Sequence, residues 1–205
     1  LLMTFPEFIK HSLYIDSFNN FMNIQPKIER QQGKRIKNKH GTIELKNVSF
    51  SYPGENKNSL NNINLTIKPY EKIAIVGYNG AGKSTLTKLL MRFYEASEGN
   101  IYYDGVDIKE YDTNEYRNNY GAVFQDYKIF AGTVAENVVM DFAKNPEKIN
   151  ESLVNSGLDN KLSDLKDGIN TQLTKEFYED GTNLSGGEEQ KLAISRIFYK
   201  DCGII

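Results

Sequence analysis

Hydrophobic positions along this chain change their spacing several times, and each change marks an element. In LLMTFPEFIKHSLYIDSFNNFMNI, Phe5, Phe8, Ile9, Leu13, Ile15, Phe18, Phe21 and Met22 recur at roughly helical spacing, which predicts an amphipathic helix within residues 1–25. Thr4 and Glu7 have the spacing of a capping box, Pro6 is tolerable in a first turn, and Pro26 biases Gln25 away from helix. The helix reads either as a solvent-facing helix packed on its own domain or as the cytoplasmic tail of a preceding membrane helix. Residues 26–41, PKIERQQGKRIKNKHG, are polar and mostly basic, the composition of a linker. From residue 42 the period becomes two. Ile43 and Leu45, then Val48 and Phe50, and again Ile63, Leu65 and Ile67 read as half-buried antiparallel strands, separated by the turn-forming loop PGENKNSLNN. EKIAIVG is a continuous apolar run, which predicts a strand at 72–76 covered on both faces and feeding a helix from Lys83.

The second half continues in the same manner. EGNIYYDGVDI predicts a hairpin-like piece turning at Asp104 and Gly105, YDTNEYRNN a short helix, and YGAVFQ a core strand at 120–125. Helical spacing returns in TVAENVVMDF and PEKINESLVNSG. LSGGEEQKLAISRIFYK predicts a helix over 186–199, with Ser185 at its N-cap and Glu188 three residues on as in a capping box.

Composition narrows the classes. At 205 residues this is one ordinary domain, or one domain with an appendage. A formal net charge of −2 gives no global basic field that points to nucleic acid. The single Cys202 excludes an internal disulfide framework and suits a small buried hydrophobe. No apolar run reaches the ~18 residues of a membrane span, and the opening residues raise no expectation of a signal peptide. His11 and His40 lie away from any recognisable chemistry and read as surface residues. Leu1 is not an initiator Met, so the expectation is a chain cut at both ends.

The strongest chemical signal is GYNGAGKST, set between an apolar strand and a helix. Gly77, Gly82, Lys83 and Ser84 match the phosphate-binding loop pattern, with Asn79, Gly80, Ala81 and Thr85 inside it. Glycines let the backbone curl so that successive N–H groups point at a β-phosphate, and the helix N-terminus adds partial positive charge. Lys83 supplies a point charge to the β- and γ-phosphates, and the Ser84 hydroxyl a ligand to Mg²⁺.

With that loop upstream, LSGGEEQ followed by KLAISR resembles the signature of ABC ATPases, and other family marks fall in the right order. Tyr52 in SFSYPG matches the aromatic that stacks on adenine. Gln125 in AVFQDYKIFAGTVAENV matches the glutamine that ends a core strand and enters the helical subdomain. EFYEDG resembles the acidic loop of exporters, with Glu179 at the position of their glutamate and Tyr178 where many have Gly. The resemblance covers residues 42–205 and implies an α/β fold: a P-loop NTPase core, an antiparallel β-layer and a mainly helical insert at about 128–184. Ahead of it, residues 1–25 and the linker resemble the run-out of a transmembrane domain.

The resemblance further implies ATP and Mg²⁺ as ligands, with Ser84 and Gln125 toward the metal and Gln125 also toward the attacking water. It implies a second ATP-binding domain standing head to tail, so that Ser185, Gly186 and Gly187 reach the neighbour's γ-phosphate. A transmembrane domain would be the other partner, at the cytoplasmic face of the plasma membrane, and nucleic acid would be none. In the family an Asp on Mg²⁺, an adjacent Glu and a His complete hydrolysis. None stands at a matching position here, so the chain as written is expected to be an inactive piece of an exporter ATPase. A non-hydrolytic ATP-binding or regulatory module and an ABC ATPase not linked to transport remain the alternatives.

Overall fold

The apolar alternation of the first strand slips phase between Leu45 and Val48, and the strand pairing slips with it. The computed structural model describes residues 4–25, 28, 32–141 and 145–205. Strand β1 (Ile43–Phe50) pairs antiparallel with β2 (Leu60–Ile67) on one edge and with β3 (Glu98–Tyr103) on the other. Strand β3 turns back into the short β4 (Val106–Asp107), giving the order β2-β1-β3-β4. Both ladders of β1 shift register after residues 45–46, as a bulge requires. Asn47 sits there at φ 53°, its N–H donating to Asn64 Oδ1 at 2.9 Å. Gly99 lies against the bulge, where a Cβ would run into the carbonyls of Lys46 and Asn47. The bulge lets Ile43, Leu45, Val48 and Phe50 all reach the core. The predicted turn is present, with Asp104 at φ 48° and Gly105 at φ 76°, the left-handed pair that a two-residue hairpin loop demands.

Helix α2 (Lys83–Leu90) lays Leu86, Leu89 and Leu90 on this sheet, and α3 (Thr113–Asn118) adds the buried Tyr116. Four phenols fill the seam. Tyr116 Oη donates to Leu90 O at 2.9 Å and lies 2.8 Å from Tyr120 Oη, and burial pushes both hydroxyls well above the usual tyrosine range. Tyr111 Oη donates to Tyr103 O at 3.0 Å. Tyr103 Oη accepts from Gly41 N–H at 2.7 Å and Asn119 Nδ2 at 3.0 Å, and donates toward the Asn38 and Lys39 carbonyls. The basic run is therefore docked from Lys34 on, where its backbone also bridges to Glu110 and Asp112.

A second core forms downstream. Beyond β5 (Gly132–Thr133), helices α4 (Val134–Val139), α5 (Pro146–Asn155) and α6 (Asp159–Asp164) lead to β6 (Gln172–Leu173) and α7 (Gly186–Lys200). Val134, Ala135, Val138, Ile149, Leu153, Leu158, Leu173 and Leu192 are its buried residues. Strand β5 pairs with β6 across the base of this unit. The end of α7 returns to the first core, where Lys200 Nζ donates to Tyr120 O at 3.1 Å and Gly121 N–H to Ile204 O at 2.8 Å.

Two expectations are corrected. Residues 72–76 form no strand, and Ile73, Ile75 and Val76 are 42%, 42% and 91% exposed. Of the predicted strand 120–125 only Tyr120 is paired, in a single parallel bridge to Ile204. The physical reason is connectivity: antiparallel hairpins complete their ladders from nearby sequence, whereas parallel strands pair only across long crossovers. Among the described residues no strand pairs with 72–76. Helix α1 (Thr4–Met22) is present, with Leu13, Phe18 and Phe21 between 62% and 69% exposed, so its described apolar side chains are not packed on the domain. The expected cap at Thr4 and Glu7 rests on side chains outside the described ones.

The phenol seam generates a prediction. Tyr103 is 1% exposed, and Tyr103→Phe would leave the Gly41 N–H without its acceptor and the Asn119 amide with only the Lys39 carbonyl. We expect a loss of about 1–3 kcal/mol in denaturant unfolding, the cost of leaving a buried donor unpaired. A midpoint equal to that of the parent would contradict this.

Candidate functional site

The GYNGAGKST loop is held by two close approaches. Gly82 is the N-cap of α2 at φ 87°, and a Cβ there would lie 2.6 Å from Ser59 O and 2.7 Å from Leu60 Cδ2. Only glycine satisfies both that dihedral and that contact. Gly80 also has a left-handed backbone, φ 85°, but faces open space. Ala81 N–H closes a turn onto Tyr78 O at 3.1 Å. Helix α2 has no side-chain cap, so its first N–H groups stay available, and the helix adds its partial positive charge at the same end. Lys83 Nζ donates to Gly77 O at 2.7 Å and Tyr78 O at 2.9 Å, arching over the loop where a phosphate chain would lie. Ser84 is exposed beside it. A curled loop with open N–H groups, a cation and a hydroxyl fits a magnesium nucleotide. Among the described residues no group of three or more His, Cys, Asp or Glu is placed to hold a metal ion.

Tyr52 lies next to this loop. The type II turn at Tyr52-Pro53-Gly54-Glu55 starts from it, with Gly54 at φ 87° and Glu55 N–H donating to Tyr52 O at 3.0 Å. Tyr52 Oη is 3.1 Å from Thr85 Oγ1. A cleft of about 360 Å³ opens beside the ring, walled by Phe50, Tyr52, Pro53, Phe93 and Tyr94. Phe93 and Tyr94 were not singled out by the sequence. The signal was available in MRFY, where aromatics follow the last turn of α2.

The other predicted residues lie on the second core. Ser185 caps α7 as expected: its N–H donates to Glu188 Oε2 at 2.8 Å, and Glu188 N–H donates back to Ser185 Oγ at 3.4 Å. That Ser185 N–H, with the Lys161 ammonium 3.5 Å away, holds the Glu188 carboxyl below its usual range. Gly186 and Gly187 are exposed. No hydrogen bond or ion pair among the described residues joins this turn to the phosphate loop. Gln125 is exposed, and its segment touches α7 only nearby, where Tyr127 Oη donates to Gly186 O at 3.2 Å. The acidic stretch 174–182 is an exposed excursion pinned at its base by Thr174 N–H to Thr182 O at 3.0 Å, with Glu179 at the surface and Phe177 78% exposed.

Comparison with known proteins joins these features. The family model described as ABC transporter matches residues 60–205. An uncharacterized ABC transporter ATP-binding protein of Bacillus subtilis is 39% identical over 92% of this chain and 32% of its own length. The ATP-dependent lipid A-core flippase of Escherichia coli K12 is 36% identical over 86% of this chain and 30% of its own. Among solved structures, a bacterial Atm1-family ABC exporter with ATP bound superposes with a TM-score of 0.77, at 28% identity, over 92% of this chain and 33% of that one. The chain thus spans about a third of the length of the curated relatives it matches. With its phosphate loop, signature helix and antiparallel layer in this arrangement, the chain belongs to the ABC transporter family and has the family's P-loop ATPase fold.

Proposed function

We propose that this chain binds MgATP as the nucleotide-binding part of an ABC exporter, at the cytoplasmic face of the plasma membrane. There two such domains stand head to tail, joined by ATP and parted by its hydrolysis. The observation that carries this reading is the open start of α7. Gly186 and Gly187 have ordinary backbone angles, and a Cβ added to either meets nothing within 4 Å. Neither packing nor conformation within the chain accounts for two glycines there, whereas close approach of a neighbour's phosphate does. The solved exporter with ATP bound and the flippases support the transport setting, and the exposed apolar face of α1 suits continuation into a membrane partner.

Each residue then has a task. The N–H groups of residues 79–82 surround the β-phosphate, and Lys83 leaves the Gly77 and Tyr78 carbonyls for the β- and γ-oxygens. Ser84 gives its hydroxyl to Mg²⁺, with Gln125 toward the metal and the attacking water. Tyr52 stacks on adenine. Ser185 and the amides of Gly186 and Gly187 take the γ-phosphate held by the partner domain, so contact at this turn exists only while that phosphate is present. Such differential contact is what can drive a cycle.

Two measurements test the proposal. Lys83→Ala should weaken affinity for a fluorescent ATP analogue by about tenfold or more, since a charge-assisted contact contributes about 1.5–3 kcal/mol. Unchanged affinity would remove the phosphate site. Gly187→Asp should leave that affinity intact, because an acidic residue suits a helix first turn, yet abolish ATP-driven dimers in light scattering. Dimers surviving Gly187→Asp would overturn the head-to-tail arrangement.

A further inference from the structure

We infer that Thr85 is a positioning residue for nucleotide recognition: its hydroxyl, bonded to Tyr52 Oη, locks the base platform to the phosphate helix. This rests on the reading of Tyr52 as the adenine platform and adds what sets that platform's place. Thr85 follows Ser84 directly in the first turn of α2, but is turned inward and is 6% exposed. Helix geometry therefore fixes its backbone relative to Lys83 and Ser84, and burial confines its hydroxyl. Tyr52 Oη meets it at 3.1 Å across 33 residues of sequence.

The rest of the ring is held by the same elements. One turn further along α2, Lys88 Nζ lies 6.0 Å above the face of the Tyr52 ring. Phe50 and Tyr94 meet the ring edge to face, with centroids at 5.0 and 5.2 Å and interplanar angles of 79° and 87°. A tyrosine side chain has two soft torsions. Fixing its tip on Thr85 and its ring between Phe50 and Tyr94 leaves neither free. In a nucleoside triphosphate the distance from base to phosphates is set by the ribose, so a platform rigid with respect to the phosphate cradle binds both ends without a reordering cost. The inference makes tyrosine rather than any aromatic the residue required at position 52, through a hydroxyl that never touches the nucleotide.

The test compares MgATP with magnesium tripolyphosphate, which has no base, by isothermal titration calorimetry. Thr85→Val and Tyr52→Phe should each weaken MgATP about three- to tenfold, the range for one neutral hydrogen bond. The double variant should be no weaker than either single one, because both delete the same bond. Tripolyphosphate should bind Tyr52→Phe, which lies outside the phosphate loop, as it binds the parent, which also verifies that the loop is folded, and Thr85→Ser should restore MgATP affinity. Additive losses of MgATP affinity, or equal weakening of both ligands by Tyr52→Phe, would overturn the inference. Tyr52→Ala separates the levels. If it weakens MgATP alone while Thr85→Val changes nothing, the positioning role fails and the adenine reading stands. If it weakens neither ligand, the adenine reading itself fails.

Discussion

The close approach of Gly82 to the Ser59 carbonyl and the Leu60 side chain is the contact on which the phosphate end of this molecule depends. It seats the first turn of α2 directly on the edge of the antiparallel sheet, closer than any side chain would allow. From that seat, Leu86, Leu89 and Leu90 face the sheet on one side of the helix while Lys83 and Ser84 face outward on the other. Burial of such side chains contributes about 1.5–3 kcal/mol each, enough to hold an eight-residue helix that would not persist alone in water. The helix N-terminus is thereby fixed in space with its N–H groups uncapped.

The two cores divide the chemistry. One carries the phosphate loop and Tyr52, the other carries the Ser185 turn, and the Gln125 segment runs between them. Polar contacts rather than a shared apolar core join them at Tyr120, Gly121 and Lys200. A nucleotide held by one core and read by the signature of another domain suits this division. In the proposed reading an anion at a helix N-terminus is the same physical device used twice, once at α2 and once at α7.

How much of this was legible depended on how local the determinants were. The bulge at Asn47 is written in the pattern itself, since apolar positions at 43, 45, 48 and 50 cannot share a face without an extra residue. The Ser185–Glu188 cap and the Asp104–Gly105 turn are equally local, and both are present. The apolar run at 72–76 was legible as a core strand but is not one in the described structure, because a parallel strand draws its stability from partners distant in sequence. Nothing in a periodicity plot could place Thr85 against Tyr52 or Tyr103 against Asn119, since both contacts are made by tertiary packing. The docking of the basic run from Lys34 onward was hidden for a related reason: its anchors are backbone carbonyls met by a buried phenol, which composition does not reveal.

Hydrogen–deuterium exchange with each nucleotide tests most directly the proposal that two helix N-termini, on facing domains, serve the phosphates of one nucleotide. MgATP should protect the amides of residues 77–86 and also those of Gly186 and Gly187, whereas MgADP should protect only the first set. Protection of the α7 turn by MgADP as strongly as by MgATP, or no protection of 77–86 by either, would contradict the account.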